Sequence, residues 1–136
     1  MDLVASMSGL VAQHYLLQSQ LPPPVGYEGF NETSELLSVF MGFGVLMANS
    51  AYTFRGSCAK CYDPRANRSA ALPEHEIVFA LALFCHLKGI SIAQAKAALK
   101  PHLRSLLKKS LKQIQNSKES LEHITAVFNQ STSINP

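Results

Sequence analysis

The chain has no tryptophan, only three cysteines, and charge on just 15% of its 136 residues. Three thiols form neither an even set nor a dense one, which excludes a disulfide scaffold and leads us to expect reduced thiols in the cytoplasm. Low charge beside 47% hydrophobic residues excludes wholesale disorder. The opening Met1-Asp2-Leu3-Val4 lacks the basic start of a secretory signal. Long apolar runs are scarce too. The uncharged stretch Leu36 to Phe54 is diluted by Ser38, Gly42, Gly44, Asn49, Ser50 and Thr53, below what a membrane-spanning helix needs, so no membrane partner is expected. Strand-like alternation, a fixed repeat, a Gly-rich phosphate loop and a nucleophile elbow are all absent from the sequence.

What remains is helical periodicity. A chain of this length favours one domain, expected over residues 1–130 with a frayed tail at 131–136. Leu3, Val4, Met7, Leu10, Val11, His14, Tyr15 and Gln18 recur at spacings of three and four, the stripe of an amphipathic first helix reaching about Gln20. Prolines 22 to 24 end it, and Leu21 to Phe30 reads as a loop. A second helix, about Thr33 to Tyr52, is apolar nearly all round and is expected to be the central one, with Gly42 and Gly44 as points of close backbone approach. Phe54 to Leu72 reads as a long connection.

Pro73, Glu74 and Glu76 fit the start of a third helix and Gly89 the position just past its end, giving about Pro73 to Lys88. Ser91 suits the cap of a short helix, Ile92 to Leu99, after which Pro101 either opens a new helix or kinks this one. Leu103, Leu106, Leu107, Leu111 and Ile114 form a stripe opposite Arg104, Lys108, Lys109 and Lys112, and a last segment spans about Ser120 to Phe128. The fold class is therefore all-α, about five helices around a central apolar helix.

Three stretches together resemble a group of uncharacterised bacterial helical proteins related to H-E-x-x-H zinc metallopeptidases. They are Glu35 to Val45 with Ala48-Asn49-Ser50, Leu72-Pro73-Glu74 with Phe79 to Phe84, and His102-Leu103-Arg104 with Lys108-Lys109 and Leu111. The resemblance implies a zinc motif on the first helix, where two histidines at i and i+4 bind metal and the glutamate activates water. It also implies a further ligand at Glu35. Whether Gln13 or His14 is laid on the second histidine, the first histidine and the glutamate become Gly9-Leu10 or Leu10-Val11, none of which binds zinc or takes a proton. What is implied is a zincin-like domain without its chemistry, with His14 and Glu35 as vestiges. A start immediately before this helix is also what a truncated gene would give.

Other constellations point elsewhere. Cys58-Ala59-Lys60-Cys61 has the C-x-x-C spacing that holds a tetrahedral metal, with Cys85 and His86 as candidate further ligands. It is half a zinc site, so the expectation is no cofactor, with zinc the alternative. His14 reads first as a hydrogen-bonded core histidine and Glu35 as a first-turn dipole partner. Lys88, Lys96, Lys100, Arg104, Lys108, Lys109, Lys112 and Lys118 make the C-terminal half electropositive, which suits a nucleic-acid surface, but stacking aromatics and a helix-turn-helix pattern are missing. The function expected is a non-catalytic domain acting through protein contacts or self-association. A metal-binding protein using Cys58 and Cys61 is the first alternative, and a basic nucleic-acid-binding module the second.

Overall fold

The computed structural model describes residues 2–24, 26–51 and 70–132. Among the described residues there are helices and no strands, so the fold is all-α. In chain order α1 covers Asp2–Ser19, α2 Phe30–Ser38, α3 Gly44–Ser50, α4 Glu74–Lys88, α5 Ile92–Ala98, α6 Pro101–Asn116 and α7 Lys118–Thr132. The proline-rich connection after α1 contains one short 3-10 turn, Tyr27–Gly29, which leads straight into α2. At the other end α7 continues over the first two residues expected to form the tail.

The expected second helix is two helices. A widened π-type turn, Val39–Phe43, joins α2 to α3, and Gly42 within it has φ 99°. That left-handed conformation is costly for any side chain and redirects the axis, so Gly42 serves the backbone rather than a close contact. Gly44 is the close approach. A Cβ there would lie 2.9 Å from Leu81 Cδ1 and 3.0 Å from Val39 Cγ1.

The break moves the centre of the molecule from the expected helix to α4. Ile77, Val78, Ala80, Leu81, Ala82, Phe84 and Cys85 of α4 are buried, and the helix packs against α6, α3 and the π turn. Phe84 meets Phe40 edge to face, with ring centroids 5.8 Å apart. By contrast, α2 buries Ser34, Glu35 and Ser38 while Leu36 stays exposed. The ends of α4 follow from their residues. Glu74 and Glu76 sit in the first turn, and Gly89 takes the left-handed position, where its N–H bonds the His86 carbonyl and Ile90 N–H bonds that of Cys85. Pro101 opens α6, whose buried face is Leu103, Leu107, Ser110 and Ile114.

Helix α1 is inside out relative to its sequence pattern. The side chains it buries are Ala5, Ser8 and Ala12, while Leu3 is 73%, Leu10 63% and Tyr15 61% exposed. The physical reason lies in the partner face, where α2 offers Ser34 and Ser38. Small side chains on both helices let the backbones approach closely, and the Ser38 hydroxyl shares its proton between the carbonyls of Ser34 at 3.0 Å and Ser8 at 3.2 Å. A seat of that depth has no room for leucine.

Candidate functional site

The implied zinc positions converge on one cavity, though without the chemistry. Gly9, Leu10 and Gln13 of α1 face Glu32 and Glu35 of α2 across a space of about 560 Å³, closed by Ala70 and Ala71. His14 is not there. It lies exposed on the outer side of α1, which corrects the reading of a core histidine and parts it from the buried Glu35. Glu35 is placed by a different task. Its Oε1 accepts the N–H of Ala71 at 3.1 Å and its Oε2 that of Leu72 at 2.8 Å, so the carboxylate ties α2 to the segment entering α4. Two backbone donors explain burial of a charge better than a helix dipole does.

Cys85 is a free thiol buried in α4, and burial pushes its pKa up, which keeps it protonated and a poor ligand or nucleophile. His86, the next residue, faces solvent, so the two point apart. Cys58 and Cys61 lie outside the described residues. Among the described residues no group of three or more His, Cys, Asp or Glu side chains is placed to hold a metal ion.

The basic residues divide in two. Lys108, Lys109 and Lys112 stand exposed along α6. Arg104 instead turns back on α5, donating from Nε to the Leu99 carbonyl at 3.1 Å and from Nη2 to that of Ala97 at 3.4 Å, and so satisfies the end of that helix. Lys88 Nζ lies 4.9 Å from the Phe128 ring centroid and links α4 to α7. Glu74 bonds His102 of α6 at 3.3 Å, while His75 lies 3.9 Å from its exposed neighbour Glu76.

Among the described residues, exposed large apolar side chains are concentrated on the outer side of α1. Leu3, Val4, Met7, Leu10, Val11 and Tyr15 form a continuous apolar face, extended by Leu17 and, past the helix, Leu21. No Asp, Glu, Lys or Arg occurs from Leu3 to Tyr27, and the exposed polar side chains within the stripe are His14 and Gln18. Sequence reasoning found these residues and pointed them the wrong way. The overlooked signal was the second stripe, Ala5, Ser8 and Ala12, whose small side chains suit close helix contact. With this geometry in view, comparison with known proteins adds no relative: no family model, no curated protein and no solved structure matches the chain.

Proposed function

We propose that the protein is a non-catalytic, zincin-like helical domain that works by self-association, the outer face of α1 in one copy packing on the same face of a second. The observation that carries the reading is the exposed apolar stripe of α1 from Leu3 to Leu17, about 22 Å long at 1.5 Å per residue. Hydrophobic side chains in such a row gain most from removal from water, and a helix pair is the simplest way to achieve it. The choice of a second copy rests on charge. Lys108, Lys109 and Lys112 stand exposed together on α6, so a two-fold contact through that face sets like charges against each other. The α1 face carries no Asp, Glu, Lys or Arg and meets itself without that penalty. The reading of a domain without catalysis rests on Gly9 and Leu10, which offer neither a metal ligand nor a base where the resemblance implies both.

Sedimentation velocity over a wide concentration range tests the proposal. The parent chain is expected to form a dimer, and Met7→Glu, which sets like charges face to face in an exposed row, to shift it to monomer with unchanged helical content. A parent that stays monomeric throughout, or a Met7→Glu dimer as tight as the parent's, overturns the reading.

A further inference from the structure

Helix α6 shows solvent a face of one charge. Its sixteen residues include Arg104, Lys108, Lys109 and Lys112 and no Asp or Glu, and the sequence from Ile77 to Lys118 holds no acidic residue at all. Arg104, Lys108 and Lys112 follow one another at i, i+4 and i+8, a row of about 12 Å at 1.5 Å per residue, with Lys109 beside it. All three lysines are exposed. The carbonyls of Leu99 and Ala97 hold Arg104 at the head of the row. Among the described residues the ion pairs are those of His75 with Glu76 and His102 with Glu74, so none of the four cations is matched by a carboxylate. Like charges one turn apart repel, and the row persists because the opposite side of the helix, Leu103, Leu107 and Ile114, is buried in the core.

What stands beside the cations selects the partner. Helices that lie on acidic bilayers add apolar side chains that sink between the headgroups, and protein interfaces bury an apolar centre within their charged rim. Ser105, Gln115 and Asn116 stand beside the α6 cations, and none of the large apolar side chains of α6 is among the exposed ones. Single strands are held by aromatic rings on which bases stack, and α6 has no aromatic ring but that of His102. A duplex asks for neither apolar nor stacking groups, because the phosphates on its outside take ammonium groups and amide donors without contact to a base. We propose that the exposed face of α6 binds the phosphate backbone of a nucleic-acid duplex without regard to sequence. Lys108, Lys109 and Lys112 neutralise phosphates, and the amides of Gln115 and Asn116 donate hydrogen bonds beside them. The face lies on a different helix from the apolar stripe of α1 and does not depend on the pairing of copies.

Fluorescence anisotropy of a labelled DNA duplex, titrated with the full chain from about 50 to about 200 mM salt, tests the proposal. The logarithm of the association constant should fall linearly with that of the salt concentration, with a slope of about −3 for three lysines, and a duplex of different sequence should give the same line. Lys108→Gln and Lys112→Gln should each weaken binding and take about 1 from the steepness of the slope, while Lys112→Arg keeps both affinity and slope. No binding at the lowest salt, affinity indifferent to salt, or undiminished binding by the Lys108→Gln/Lys112→Gln double variant overturns the proposal. So does tighter binding to an oligothymidylate strand, to polyglutamate or to phosphatidylserine vesicles than to the duplex. If a variant loses its helical circular dichroism, the salt slope and the duplex preference of the parent chain still decide.

Discussion

Two buried polar side chains hold segments that no helix ladder reaches. Glu35 receives the backbone N–H groups of Ala71 and Leu72. Asn49, at the end of α3, donates from Nδ2 to the Ala98 carbonyl and accepts the Lys100 N–H at Oδ1, both at 2.9 Å, and so fastens the corner between α5 and α6. Removing such a side chain orphans two backbone groups at once, which is worse than losing a surface contact of equal length. Glu35→Ala should therefore lower stability by about 2–3 kcal/mol, seen as a lower urea midpoint at unchanged slope, and Glu35→Gln, which keeps one acceptor oxygen, should cost less. A variant with the parent's midpoint would remove Glu35 from any structural role. Neither side chain's partner was legible in the sequence. Glu35 lies 36 residues from Ala71 and Asn49 lies 51 from Lys100, and no periodicity encodes a bond between a side chain and a distant backbone group.

At the scale of the element, the two glycines between α2 and α3 answer different needs, and substitution should separate them. Gly42→Ala places a Cβ at φ 99° with open space around it, so its cost, about 1–2 kcal/mol, is conformational. Gly44→Ala meets Leu81 and Val39 in an ordinary helical conformation, so helix propensity gains while packing loses, for a net cost of about 1 kcal/mol. Shortening the obstructing side chain tests the assignment. Combined with Leu81→Val, Gly44→Ala should cost less than the sum of the single changes, whereas Gly42→Ala should simply add. Additivity in both pairs would mean that the close approach at Gly44 is misassigned. Much of the element-level plan was legible: Gly89 past α4, Pro101 at the head of α6 and the leucine stripe of α6 all stand where local chemistry puts them. What escaped was the kink at Gly42, because a glycine in an apolar run signals a bend or a tight contact with the same letter.

For the whole molecule, the pattern of burial matters more than its amount. Apolar periodicity reports that a helix has a greasy side, and the side that meets the core is chosen by whichever neighbour fits. In α6 the two agree. In α1 they do not, because Ser34 and Ser38 of α2 demand small counterparts and Ala5, Ser8 and Ala12 supply them. Among the described residues no helix is long and apolar enough to cross a membrane.

That shallow seat governs how the fold comes apart. A helix that inserts two alanines and a serine gives up little apolar burial on release, while α4, with Ile77, Leu81 and Phe84 in the interior, cannot leave without dissolving the core. In native-state hydrogen exchange the amides of α1 should open at a free energy well below that of α4, and the gap should narrow as protein concentration rises if copies pair through this helix. Equal protection in α1 and α4 at high dilution would mean that the two open as one unit. On the proposed pairing, the first helix is a part whose persistence is set less by the rest of its own chain than by how many other copies are near.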